Sequence, residues 1–497
     1  VLFTSIGELI PLYALYALLF ADHGMSTGQI SLLFAVWSAT AFLLEVPSGA
    51  WADTVSRRGL LMLSGVLLTA GFTVWTVAPS FLGFAIGFAL WGTSGALASG
   101  TFEALLYDDL AARGESAAYP RILGYTRAGA EAAVVVAIVA ATPLYLYGGY
   151  ALVSWSSVAI AALHTVIALT LPTAPKAVSA VDVDDLEDVV PESSGDDGAA
   201  RSGATHTPVP HTDPADSAFR VDTVSIENGS TGPVDSDLMV GAGTRAAARD
   251  ATHGTPAGGT SDADRPVSPS VSGVGERNAL PEGVVEQPRP FARYLGMLKA
   301  GIGEAVRVRA VRYGVLLEAL LFGITAFDEY FALLAHEAGV STAVVPLLVG
   351  LTVLGSLVGS VLGGRTEGIS GRTMGIAMGI AGALFLGGAL VAGLAARRPD
   401  VMYPLTALGF TAIGISYGIV HNAVVIAGAR LQDAIEGPAR ATVTSVSGLL
   451  SEVVALAVFG FAAVVTIWYS MSTMLAFLGV AMLAIAALAP RWLPRRR

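Results

Sequence analysis

Eleven ionisable side chains stand inside stretches that are otherwise apolar: Glu8, Glu45, Glu103, Arg127, Glu131, His164, Glu318, Asp328, Glu329, His421 and Glu452. In hydrocarbon each is costly unless it faces a cavity or a partner. Carboxylates and imidazoles in such places can bind and release protons or hold a charged solute, because their charge depends on their surroundings. Other chemistries are poorly supplied. The chain has no cysteine, so thiolate nucleophiles, thiolate metal sites and disulfides are excluded. Lys176 and Lys299 are the only lysines, and neither precedes Ser or Thr in a glycine-rich loop, so a phosphate-cradling ATPase motif is absent. No cofactor, metal or nucleic-acid partner is expected, and no enzymatic activity. One rival chemistry has residues to name: Gly92-Thr93-Ser94-Gly95 and His164 would supply the serine and histidine of an intramembrane protease. That reading leaves half of the apolar stretches without a purpose.

The elements that must position these groups are membrane spans. Hydrophobic residues make up 54% of the chain and charged ones 13%, about half the charge of a soluble domain. Apolar runs at 2–20, 28–51, 59–78, 81–107, 122–147 and 150–171 are each long enough to cross a bilayer as a helix. Six more follow at 311–334, 342–362, 373–395, 402–428, 441–465 and 467–490. Arginines gather in alternate turns: Arg57 and Arg58, Arg113 and Arg121, Arg365 and Arg372, Arg430 and Arg440, and the tail from Arg491 to Arg497. Only Arg397 and Arg398 fall on the other side. Positive loops stay cytoplasmic, which puts both termini inside a multi-pass protein of the cell membrane.

The two sets of six are separated by residues 173–290, rich in Asp, Ser, Thr, Gly and Pro, with 20 acidic and 8 basic residues by count. Without apolar periodicity this segment is expected to stay disordered as a cytoplasmic linker, and it carries nearly all of the net charge of −11. Residues 291–310 place Arg293, Lys299, Arg307 and Arg309 among apolar positions, as a helix lying on the inner leaflet would. The domains are therefore 1–172, 173–290, 291–310, 311–490 and a basic tail 491–497.

Between spans two and three, Leu44 to Arg58 places Gly49, Asp53, Arg57 and Arg58 at the spacing of the signature loop of the major facilitator superfamily, which the stretch closely resembles. The resemblance extends over nearly the whole chain. It departs at Ser56, where the family usually has a glycine able to adopt positive φ. Residues 363–372 look like a degenerate second copy of the loop, and Pro120-Arg121 with Gly129 is echoed by Pro438, Arg440 and Gly448, as parallel repeats would be. The resemblance implies an all-α membrane protein of twelve helices in two pseudo-symmetric six-helix bundles. Such a protein acts as a monomer in the lipid bilayer, moving a small molecule by alternating access with no chemistry done on it. A proton is the simplest coupling ion. A receptor or assembly subunit of the same fold is the alternative. Two drug-antiporter features are missing: no arginine precedes Trp91-Gly92 on span four, and span five has Ala141-Thr142-Pro143 but no Gly-Pro-x-x-Gly-Gly motif.

In the resembled family the loop aspartate and arginine close the cytoplasmic side against charges on neighbouring helices. Asp108 is the expected partner of Arg57, with Asp109 next. Spans one, four, seven and ten would line the cavity, which singles out Glu8, Glu103, Glu318, Glu329, His421 and Asn422. On span seven a continuous helix would put Glu318 and Glu329 on one face, with Asp328 turned toward the outer mouth or a helix contact. Glu452 on span eleven shares a face with Ser445 and Gly448. Arg127 and Glu131 are i and i+4 and are expected to pair, although Glu131 remains a cavity candidate. Glu45 reads as an interfacial anchor and His164 as a packing residue. Gly350, Gly355, Gly359 and Gly363 form a seam for close helix contact.

Overall fold

The computed structural model describes residues 1–176, 303, 307–435 and 440–495. The acidic linker beyond 176, most of the candidate interfacial helix at 291–310, and Pro438 lie outside the described residues, as does the side chain of Glu45. Every regular element among the described residues is helical. The first half comprises α1 (Leu2–Glu8), α2 (Tyr16–Asp22), α3 (Thr27–Thr54), α4 (Arg57–Val77), α5 (Phe81–Ala98), α6 (Thr101–Ala112) and α7 (Tyr119–Ala168). The second comprises α8 (Arg309–Gly323), α9 (Phe331–Glu337), α10 (Val345–Thr366), α11 (Gly371–Ala395), α12 (Met402–Ala434), α13 (Arg440–Val465) and α14 (Met471–Trp492).

Among the described residues, eleven helical stretches are long and apolar enough to cross a membrane, and one of them, Ser116–Ala168, has 53 residues. A straight helix of that length would reach about 80 Å, against about 30 Å of hydrocarbon. It does not run straight. Gly148 (φ −148°, ψ 15°) and Gly149 (φ 60°, ψ −157°) leave helical geometry inside α7. Only glycine adopts the Gly149 conformation without strain. With the chain reversing there, α7 supplies two spans and the total is twelve.

Three spans are interrupted. The first pauses between α1 and α2, where Ile10 is extended and Pro11 opens a short 3₁₀ turn, Pro11–Ala14. Proline lacks the N–H that would continue the helix and drives the residue before it out of the α region. The fourth breaks between α5 and α6 at Ser99 and at Gly100, whose φ is 67°. The seventh passes from α8 into a 3₁₀ segment, Ile324–Tyr330, before α9. A 3₁₀ segment advances about 120° per residue, so the single face expected for Glu318 and Glu329 does not persist past Gly323.

Close packing fixes the helices around these breaks. A Cβ on Gly355 or Gly359 of α10 would run into the carbonyl oxygens of Gly414 and Gly418 on α12, so the glycine seam is a backbone contact between those helices. In the first half an aromatic cluster of Tyr16, Phe20, Phe34, Trp75, Phe88 and Trp91 fills the space between spans. The N–H of Trp75 donates to the carbonyl of Phe84 at 3.0 Å. Glu337 closes the opposite end of the second half. Its carboxylate accepts from the backbone N–H groups of Met471 at 2.5 Å and Ser472 at 3.1 Å, at the N-terminus of α14.

Candidate functional site

Gly49 and Asp53 lie within α3, which runs on to Thr54, and only Val55 and Ser56 form the turn. Both are extended, and the Ser56 side chain caps α4 by accepting from the N–H of Gly59. The turn thus needs no glycine, which accounts for Ser56. Arg57 is 3% exposed, and its Nη1 lies 2.6 Å from Asp108 Oδ2 on α6. Its Nη2 lies 3.5 Å from Asp53 Oδ1, one turn back on the chain. Asp109 pairs instead with Arg113, at 2.8 Å. Arg58 is partly exposed beside Arg57. The loop and the fourth span are therefore held at one end by the buried Arg57–Asp108 pair, with the partly exposed Asp53 beside it. The same end, the basic end of the molecule, also carries Arg113, Arg121, Arg309, Arg372 and Arg491.

A cavity of about 330 Å³ opens within the first half. Glu8, Glu103, Arg127, His164, Tyr13 and Trp91 are in its wall. Glu8 is the last residue of α1 and Glu103 stands in the first turn of α6, so both carboxylates sit at helix interruptions. Tyr13 stacks on Trp91, with centroids 5.1 Å apart. Arg127 lines this cavity, whereas Glu131 is exposed one turn further along α7 and is not in the wall. His164 Nδ1 lies 3.0 Å from the carbonyl of Phe3 and its ring stacks on Phe3 at 4.2 Å. Ser94 hydrogen-bonds Ser64 at 2.9 Å. The serine and the histidine of the protease reading are each engaged elsewhere and form no dyad.

A second cavity, of about 210 Å³, lies between the halves, with Trp37, Ser38, Asp328, Glu329, Ser451 and Glu452 in its wall. Carboxylates bridge the halves here. The Tyr16 hydroxyl donates to Glu329 Oε2, and Ser38 Oγ donates to Glu452 Oε2 at 2.5 Å. The Tyr330 hydroxyl donates to Ser31 Oγ at 2.8 Å, and Thr142 Oγ1 to the carbonyl of Ala343 at 2.9 Å. These bonds lie from mid-span to the end opposite the basic one. The Asp328 carboxylate stays within its own half, accepting from the Tyr417 hydroxyl at 2.6 Å. Neighbours Asp328 and Glu329, about 120° apart on the 3₁₀ segment, thus face partners in different halves.

Glu318 sits apart from Glu329, accepting from Ser447 Oγ at 2.6 Å on α13. His421 meets the Tyr417 ring edge-on at 4.5 Å, and its Nε2 is buried with no hydrogen-bond partner among the described residues. Asn422 serves the α10–α12 contact: its Nδ2 donates to the Gly359 carbonyl at 3.1 Å and to Thr366 Oγ1 at 2.8 Å. The tyrosines and serines that hold the carboxylates carry no sequence signal. Hydroxyl residues are common in apolar helices, and only the fold selects which of them face an acid. No group of three or more metal-ligating side chains occurs among the described residues.

The chain matches the family model of the Major Facilitator Superfamily over residues 1–457. No curated protein sequence matches it. Among solved structures it resembles a bacterial homolog of the human lysosomal transporter Spinster, in an inward-facing and occupied conformation. That match has a TM-score of 0.56 at 11% identity, covering 99% of this chain and 93% of the other. It also resembles the nucleoside transporter NupG, with a TM-score of 0.58 at 10% identity over 98% of this chain and 97% of that one. At such identities the structures speak for the fold alone. The family match over most of the chain, with a fold of twelve spans, makes this protein a multi-pass membrane protein of the major facilitator superfamily.

Proposed function

We propose that the protein carries a small organic solute across the cell membrane by alternating access, coupled to protons. The observation that carries this reading is the placement of the carboxylates. Glu329 and Glu452 each accept a hydroxyl from the opposite half, so both bonds must break when the halves part at that end. A carboxylate whose partner is lost on opening changes its preference for a proton with the conformational state, which is the linkage a proton-driven carrier needs. The basic end is the cytoplasmic one on the positive-inside bias, and the halves are then closed toward the outside. Asp53, Arg57 and Asp108 bias closure on the cytoplasmic face.

The cavity of the first half suits a solute with a positive charge and a flat apolar body. Two carboxylates outnumber the one arginine in its wall, and the stacked Tyr13–Trp91 pair offers an aromatic face to a cation. A thermal-shift screen of the purified chain against organic cations, anions and neutral metabolites tests this, and stabilisation by anions alone contradicts it. For coupling, Glu329→Gln and Glu452→Gln keep shape and remove titration, with Glu318→Gln as the comparison inside one half. In proteoliposomes the first two variants should still exchange solute but no longer concentrate it under an imposed pH difference. Wild-type accumulation by both, with loss in Glu318→Gln, moves coupling to span seven's Ser447 contact. Wild-type accumulation by all three excludes these carboxylates as the coupling site and overturns the reading that places coupling at the contact between the halves.

A further inference from the structure

The second half has a groove of about 1070 Å³ at the basic end, between the start of α8, the turn joining α10 to α11, and the end of α14. Five arginines line it: Arg309, Arg372, Arg430, Arg491 and Arg495. None has a carboxylate within 4 Å among the described residues, whereas Arg57 and Arg113 at the same end of the first half are each paired with aspartate. The contrast is sharpest at Arg430. It is 4% exposed, yet its guanidinium is held by the backbone carbonyls of Glu367 at 2.7 Å and Ile369 at 3.3 Å. Carbonyls orient the group without cancelling its charge. The N-terminus of α11, a helix of 25 residues capped by Ser370, adds unpaired N–H groups and the positive end of its dipole.

Among the described residues this positive charge around one concavity has no carboxylate to balance it, and it calls for an anion. The remaining wall tells what kind. Ile369, Pro490, Leu493 and Pro494 are apolar, and Tyr313 stacks on Trp492 with centroids 5.5 Å apart. A tyrosine–tryptophan pair at the ends of two membrane spans is where a headgroup meets its acyl chains. We propose that this groove binds the phosphate headgroup of an anionic phospholipid, with the arginines on the phosphate and the apolar rim on the upper acyl chain. Basic pockets between spans hold such headgroups by charge, and each arginine near the surface strengthens the attraction about 5-fold.

The test uses the purified full chain in detergent and native mass spectrometry, with phosphatidylglycerol, phosphatidylcholine and inorganic phosphate as probes. The wild type should retain phosphatidylglycerol and not phosphatidylcholine. Arg372→Gln with Arg491→Gln, both exposed, should weaken retention about 25-fold. Lysine at both positions should restore most of it, and Arg397→Gln with Arg398→Gln, at the opposite end, should change nothing. Equal retention of both lipids, or unchanged retention in the glutamine pair, overturns the site. Inorganic phosphate displacing the lipid at equal concentration makes the occupant a soluble anion and overturns the lipid assignment.

Discussion

Asp53 and Asp108 flank the same guanidinium, but their settings differ. Asp108 is 1% exposed and 2.6 Å from Arg57, while the Asp53 side chain is 33% exposed and 3.5 Å away. Removing one member of a buried pair strands its partner and costs about 3–5 kcal/mol, whereas a half-exposed contact contributes about 1 kcal/mol or less. Asp108→Ala should therefore lower the thermal midpoint of the purified protein markedly. Asp53→Asn should leave it nearly unchanged while slowing transport and shifting label distances across the basic face toward an open state. Equal destabilisation by the two variants would make Asp53 structural, and an unmoved distance distribution with normal transport would make it a topology anchor.

At the scale of elements, helix contacts decide which glycines matter. Gly359 of α10 lies against the backbone of Gly418, while Gly379 of α11 has nothing within 4 Å of where its Cβ would be. Gly359→Leu forces α10 and α12 apart and breaks the Asn422 contact to the Gly359 carbonyl, at a cost of about 1–3 kcal/mol for overpacking. Gly379→Leu should be silent. Detergent thermal unfolding of both variants reads the difference, and equal midpoints would mean that the seam is loose in the membrane. The interrupted spans follow the same logic. Broken helices are tolerated at membrane depth where they line a cavity, and Glu8, Glu103 and Glu329 sit at those breaks.

For the whole molecule, the two halves meet through α3 with α13 and α7 with α10. The segment between the halves carries acidic and polar residues with no apolar period, so its role in the proposed mechanism is to tether. Replacing residues 180–285 with a few tens of flexible residues should preserve membrane insertion, thermal stability and transport. Limited proteolysis of the intact chain should cut there before anywhere else. Loss of insertion or activity in the shortened chain would assign the segment a function beyond tethering.

The sequence by itself determined the twelve spans, their division into sixes and the family, because span length and arginine placement are one-dimensional properties enforced by the bilayer. It also pointed to Asp108 as the carboxylate for Arg57, since a charge at the end of the fourth span has few places to go. Only the tertiary structure decided what each acid faces. A straight-helix reckoning put Glu318 and Glu329 on one stripe, but the 3₁₀ segment Ile324–Tyr330 rotates the chain. Glu329 then reaches Tyr16 of the other half while Asp328 reaches Tyr417 of its own. Asn422, expected at a cavity, lines one of about 470 Å³ and also clasps α12 to α10, and Arg127 stands in a cavity wall that does not include Glu131. Periodicity assigns a side chain to a face of its own helix. Which face meets a cavity depends on where that helix breaks and on what packs against it, and both are settled by contacts between residues hundreds of positions apart.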